Sequence, residues 1–174
     1  MSEKLTYLLV DFFCIIFPLL FSFHPKLQFH KKWKLFLFPC ILTGTFFLVW
    51  DIIFTKLGVW SFNPNYVVGI YLVNLPIEEV LFFICIPYAC VFSYYCFTLF
   101  FNFSKLRIYV NMFYSGLVLV LLCIALFNLE KLYTSVTFIL LSVFLSFLLV
   151  KKKDFLPAFF FCFLFILIPF VISN

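Results

Sequence analysis

The chain has 174 residues, 67% of them hydrophobic and 11% charged, with a formal net charge of +5 and a mean hydropathy of +1.23. No soluble domain of this size has an interior large enough for that much apolar surface, so lipid is the solvent for most of it. The positive charge comes from bases in connecting stretches, without a basic cluster interleaved with stacking aromatics, and nucleic acid is excluded as a partner.

Six apolar runs follow one another: Leu5–Phe23, Leu35–Thr55, Asn74–Phe101, Ile108–Phe127, Leu132–Val150 and Phe155–Ser173. Each is about 20 residues, the length a helix needs to cross about 30 Å of hydrocarbon. Alternating hydrophobicity is absent and the chain is too short for a closed barrel, so the spans are predicted to be helices. The first run carries Asp11 and lacks a small-residue cleavage site, which argues against a removable signal peptide. The expected fold is all-α, a polytopic membrane helical bundle of about six transmembrane helices, forming a single integral membrane domain over residues 1–174.

Seven cysteines (Cys14, Cys40, Cys85, Cys90, Cys96, Cys123, Cys162) are scattered through the apolar runs, with no Cys-x-x-Cys pair. They read as small hydrophobes, not as disulfides or metal ligands. His24 and His30 have no carboxylate nearby, so no metal is expected. The four glycines lie too far apart for a phosphate-cradling loop, which excludes a Rossmann-bound nucleotide or flavin.

Charge distribution gives an orientation. The Lys26–Lys34, Lys105–Arg107 and Lys151–Lys153 stretches hold nine bases, against Lys4, Lys56 and Lys131 on the opposite side. The positive-inside rule makes the nine-base side cytoplasmic and predicts both termini outside, in a multi-pass cell-membrane protein.

The third run opens with Asn74-Leu-Pro-Ile-Glu-Glu-Val-Leu-Phe-Phe, which places Glu78 and Glu79 in an apolar first turn. A carboxylate within hydrocarbon costs about 2.5 kcal/mol or more, and its default reading is a functional site. One acid could simply complement the positive end of the helix dipole. A second beside it repels the first and needs a partner of its own. With Leu75 as N-cap and Pro76 as the first helical residue, the two carboxylates project about 100° apart. Pro87 further along takes away the donor that would have met the Phe83 carbonyl, predicting a kink.

Asp11 lies about two turns into the first run and Asp51 about one turn from the end of the second. In the expected orientation these two join Glu78 and Glu79 in the outer part of the bilayer, within about 10 Å in depth. Four carboxylates from three helices at one depth predict a shared polar pocket facing the bundle interior. The long connection from Lys56 to Asn74 is too apolar for a free loop and is broken by Gly58, Pro64 and Gly69. Trp60, Tyr66 and Tyr71 make it either an interfacial aromatic belt or a lid over the carboxylates.

The constellation Trp50-Asp51, Gly58-x-Trp60-x-Phe62-Asn63, Gly69 and Leu75-Pro76-x-Glu78-Glu79-x-x-Phe82-Phe83 with Pro87 resembles the membrane-integral lycopene cyclases of bacterial, archaeal and fungal type. Specific motifs carry the resemblance over about residues 5–100; beyond them it rests on hydropathy and on the Leu156-Pro157 and Ile168-Pro169-Phe170 pieces. It implies a lycopene β-cyclase, an intramolecular lyase of carotenoid biosynthesis that turns the ψ end groups of a lipophilic carotenoid into β-rings. No cofactor is implied, because protonation, ring closure and proton loss exchange no electrons. The step needs an acid whose proton is retained by desolvation, near aromatics able to stabilise a cation. Glu78, Glu79 and Asp51 are the implied catalytic residues, with Trp50, Trp60, Phe62, Asn63, Phe82, Phe83 and Tyr88 around the substrate. Which carboxylate is acid and which is base stays open.

In that family the Pro-x-Glu-Glu/Asp signature occurs in two tandem halves, and residues 1–174 contain it once, at Pro76–Glu79. Residues 1–103 thus correspond to a first half-repeat and 104–174 to an incomplete second. A second subunit or a further C-terminal segment is expected to supply the other signature, with little activity from this chain alone. The competing functions are a carotenoid end-group hydratase that captures the same cation with water, a proton-relay or transport protein, and a pigment-binding scaffold.

Overall fold

The computed structural model describes residues 3–151 and 154–173; Lys152 and Lys153 of the charge count lie outside the described residues. Six α-helices follow in order: α1 (Thr6–Phe21), α2 (Trp33–Lys56), α3 (Ile77–Phe100), α4 (Arg107–Phe127), α5 (Leu132–Val150) and α6 (Leu156–Ser173). A two-stranded hairpin, β1 (Tyr71–Leu72) and β2 (Leu75–Pro76), stands directly before α3. The protein is an all-α membrane protein, as the apolar runs predict. Among the described residues, four helical stretches are long and apolar enough to cross a bilayer: Phe29–Lys56, Ile77–Phe100, Ser104–Phe127 and Leu132–Val150. α1 is shorter than its apolar run, with 16 residues or about 24 Å. It ends early because Phe23 and His24 bond back to Leu20 and Phe21, tightening the chain into turns.

Two compact units divide the chain, Met1–Cys96 and Phe97–Asn174. In the first, one end is fastened around Tyr88. The Ser22 hydroxyl donates to the Pro18 carbonyl at 2.6 Å, so its oxygen is left to accept from the Tyr88 hydroxyl at 2.5 Å. The Tyr88 oxygen in turn accepts from the Trp33 indole N–H at 2.9 Å. Phe29 and Phe36 meet the Tyr88 ring edge-on, and Tyr95 donates to the Leu27 carbonyl at 2.8 Å. Every polar group of this network has a partner, as burial away from water demands. A Tyr88→Phe chain would strand the Trp33 donor and is expected to lose about 1–3 kcal/mol of stability. Thermal unfolding in detergent checks this, and a chain with unchanged unfolding would show the network to be incidental.

In the second unit α4 and α5 pack as a hairpin with α6 against them. Val110, Tyr114, Val118, Leu121 and Ala125 recur at three- and four-residue spacing along the buried face of α4 and meet Leu145, Leu148 and Leu156. Hydroxyls within α5 bond to carbonyls of their own helix, Ser142 to Phe138 at 2.7 Å and Ser146 to Ser142 at 2.8 Å, as a low-dielectric setting requires. The Arg107–Asp154 ion pair, 2.5 Å long, is largely solvent-facing and contributes at most about 1 kcal/mol.

Candidate functional site

The end of the first unit away from Tyr88 is polar inside. Asp11, Asp51 and Glu78 are 4%, 6% and 2% exposed, and Glu79 is half-buried. The 100° between consecutive helical residues sends the two glutamates to different neighbours. Glu79 turns toward α2, where its carboxyl group lies beside that of Asp51. The Trp60 indole, whose N–H can only donate, is close enough to act on Asp51 as well. Two ionised carboxylates have only acceptors and repel each other, so such a couple is relieved by sharing one proton. Glu78 instead turns toward the connecting segment and α1. Its Oε1 accepts the Val68 backbone N–H at 2.6 Å, and Asp11 lies close enough for the two charges to act on each other.

The connection 57–76 is folded over these groups. Val59 N–H bonds to the Phe54 carbonyl, Asn63 holds a turn by accepting from Asn65 at 3.0 Å, and the Asn74 amide donates to Ile52 at 3.0 Å. The hairpin pairs Tyr71 with Pro76 and Leu72 with Leu75, with Val73 at φ 61° in its tight turn. This corrects the expected helix start: Pro76 closes a strand instead of opening the helix. Its missing N–H costs nothing there, and Ile77 N–H goes to the Ile70 carbonyl. Val67 and Leu75, each 1% exposed, anchor the segment inward, while Tyr66 packs on Tyr7 of α1 with ring centres 6.2 Å apart.

An aromatic stack flanks the Asp51–Glu79 couple. Trp50 and Phe54 lie face to face at 4.5 Å, and Phe54 and Trp60 at 5.2 Å. One turn deeper, Phe47 of α2 stacks on Phe83 of α3 at 6.4 Å, with Phe82 edge-on to Phe83. Beyond that pair a groove of about 490 Å³ runs between α2 and α3, its walls including Pro39, Cys40, Gly44, Phe82, Phe83 and Pro87. Pro87 leaves the Phe83 carbonyl without its helical donor, and the Cys40 thiol fills the gap at 3.7 Å. A depression of about 440 Å³ between Phe38, Ile41 and Phe46 has α2 as its only wall and touches no acid.

Of the residues singled out from sequence, the structure brings together Asp51, Glu79, Trp50 and Trp60, with Phe82 and Phe83 one turn deeper. Glu78 belongs to the same end but faces the other way. Phe62 is half-buried in the connecting segment, and Asn63 is exposed with its side chain occupied by the turn. Tyr88 is not brought to the acids: it lies about 15 Å along α3 from Glu78, in the network with Ser22 and Trp33. Phe54, the middle ring of the stack, was missed, although Trp50 and Phe54 at i and i+4 are the sequence signal for such a pair. The Val68 N–H is a backbone donor and leaves no trace in sequence. No group of three or more His, Cys, Asp or Glu among the described residues is arranged to hold a metal ion.

Helices of membrane length carrying a roofed, buried carboxyl cluster define an integral membrane protein with an intramembrane acid site. The family model for lycopene cyclase matches residues 4–97 and 130–174, which takes in all four acids and both α5 and α6. The chain belongs to the lycopene cyclase family. No curated protein and no solved structure matches it. Membership brings with it a carotenoid cyclase role in general terms and a lipophilic substrate.

Proposed function

We propose that this chain is a lycopene β-cyclase in which the Asp51–Glu79 couple supplies and recovers the proton of a redox-neutral ring closure. The observation that carries this reading is the pairing of the Asp51 and Glu79 carboxyl groups in an apolar site beside three stacked rings. The couple protonates the terminal alkene of a ψ end group, leaving a tertiary cation. The internal alkene closes the six-membered ring onto it, and a proton leaves the ring carbon to give the β-ring. One C–C bond forms, one proton is gained and one is lost, and no electrons are exchanged. Glu79, the more accessible partner, is the donor, and Asp51, fixed by Trp60, takes the proton back. The rings of Trp50, Phe54 and Trp60 offer their negative faces to the passing cation.

The groove between α2 and α3 suits the rest of a long, stiff hydrocarbon. Phe47 is one turn from Asp51 and Phe83 one turn from Glu79, so a chain lying in the groove presents its end to the couple. Such a substrate comes sideways from the lipid and needs no aqueous channel. The reading also includes a multi-pass cell-membrane setting with both termini outside, and a second subunit or segment bearing another carboxylate signature. In support of the latter, the acids of the second unit, Glu130 and Asp154, are exposed. The gathering of all four buried acids at one end of the first unit speaks against a relay across the membrane.

Expression in a host that accumulates lycopene tests the reading by pigment analysis. β-Ringed carotenoid is expected when a subunit bearing a second signature is co-expressed, and little of it from the chain by itself. Unchanged lycopene in both cases would sink the cyclase reading, and hydroxylated acyclic ends would replace it with hydration.

A further inference from the structure

We propose that Glu78 is a positioning residue, which latches the 57–76 segment over the Asp51–Glu79 couple through the Val68 N–H and does not transfer the proton itself. This rests on the cyclase reading only for the part played by the couple; the latch stands on geometry alone.

The antiparallel hairpin that precedes α3 ends where α3 begins. Its last pairings are Tyr71 with Pro76 and the Ile77 N–H with the Ile70 carbonyl. One step further, the backbone of Glu78 has already turned into the helix and cannot continue the pairing. Its side chain takes over, accepting the Val68 N–H at 2.6 Å. Val68 sits between Val67, buried to 1%, and Gly69, whose φ of 95° turns the chain in a way other residues resist. The contact therefore fixes a bend, not a loose loop. The second oxygen, Oε2, is buried without a hydrogen-bond partner, and Asp11 of α1 is near enough to feel the Glu78 charge. The oxygens of Asn74 and Thr55, at the same end, are likewise buried and unpartnered. Glu78 is thus enclosed on the roof side at 2% exposure, whereas Glu79 is half-open and lies beside Asp51 and the aromatic stack. A proton donor must reach substrate; a latch must not.

The two roles separate on conservative substitution. In a Glu78→Gln chain the amide oxygen still accepts from Val68; a Glu78→Ala chain has no acceptor at all. Hydrogen–deuterium exchange of the segment around Val68, measured on the purified chain in lipid nanodiscs, reads the latch without reference to activity. Protection is expected in the parent and in Glu78→Gln, and is expected to fall at least about tenfold in Glu78→Ala. Lycopene conversion is expected to stay within about threefold of the parent in Glu78→Gln and to fall at least about tenfold in Glu78→Ala. Equal protection in all three chains would overturn the latch. A Glu78→Gln chain with full protection but no conversion would overturn the assignment by making Glu78 a catalytic acid. A parent that converts no lycopene under any condition would remove the cyclase reading, while the exchange data would still decide whether Glu78 holds the roof.

Discussion

Replacing Glu79 by Gln is expected to abolish ring formation, with a loss of about 10²–10⁴-fold, the usual contribution of a general acid. Glutamine matches the shape of the side chain and keeps a hydrogen bond to Asp51, but has no transferable proton. Asp51→Asn should cost a similar factor. The double variant should be little worse than either single one, because residues that act as one unit give non-additive losses. Pigment analysis of the three chains, normalised to protein in the membrane, decides the matter. Parental conversion by Glu79→Gln would make the couple structural, and fully additive losses would separate the two carboxyl groups into independent roles.

Filling the groove should have the next largest effect. A Cβ at Gly44 would lie 3.8 Å from the Phe83 carbonyl oxygen and 3.9 Å from Phe83 Cβ, ordinary van der Waals distances. Gly44→Ala is therefore expected to fold and convert lycopene normally. Gly44→Phe would place a ring in the groove one turn or so from the reacting end, and a misplaced substrate loses about 10²-fold. Initial rates across a range of lycopene loading, with thermal unfolding measured in parallel, separate a blocked groove from a damaged fold. A Gly44→Phe chain that unfolds at the parental temperature and cyclises at the parental rate would show that the hydrocarbon lies elsewhere.

The helices were legible because lipid leaves little ambiguity: where nearly every residue is apolar, the breaks are the signal, and those at Lys26–Lys34, Lys105–Arg107 and Lys151–Lys153 mark helix ends within a few residues. The gathering of Asp11, Asp51, Glu78 and Glu79 was legible for the same reason, since acids in apolar runs are rare and their depth follows from counting. The rotation of α3 about its own axis was not. A step of 100° says that Glu78 and Glu79 diverge, but only packing says that one meets α2 and the other the roof. Pro76 suited a first helical turn and an edge strand equally well, and the hairpin that decided between them depends on backbone pairing across a two-residue turn. Tyr88 sits twelve residues beyond Pro76 in a mostly apolar run, where a single tyrosine does not announce which neighbours it will meet.

The unit that carries the acids is fastened at both ends and lightly in between. The end around Tyr88 has a closed set of hydrogen bonds and edge-on rings, and the opposite end has the roof and the carboxyl pairs. At mid-depth, α2 and α3 approach at Gly44, with the Cys40 thiol reaching the Phe83 carbonyl at 3.7 Å, and prolines on both sides thin the backbone ladders. Sulfur is a weak donor, and contacts at glycine are few, so little enthalpy is forfeited when these helices part there. The molecule is built like a purse clasped at top and bottom with a yielding seam: a rod-shaped guest can slip in from the lipid through the middle, while neither clasp has to open.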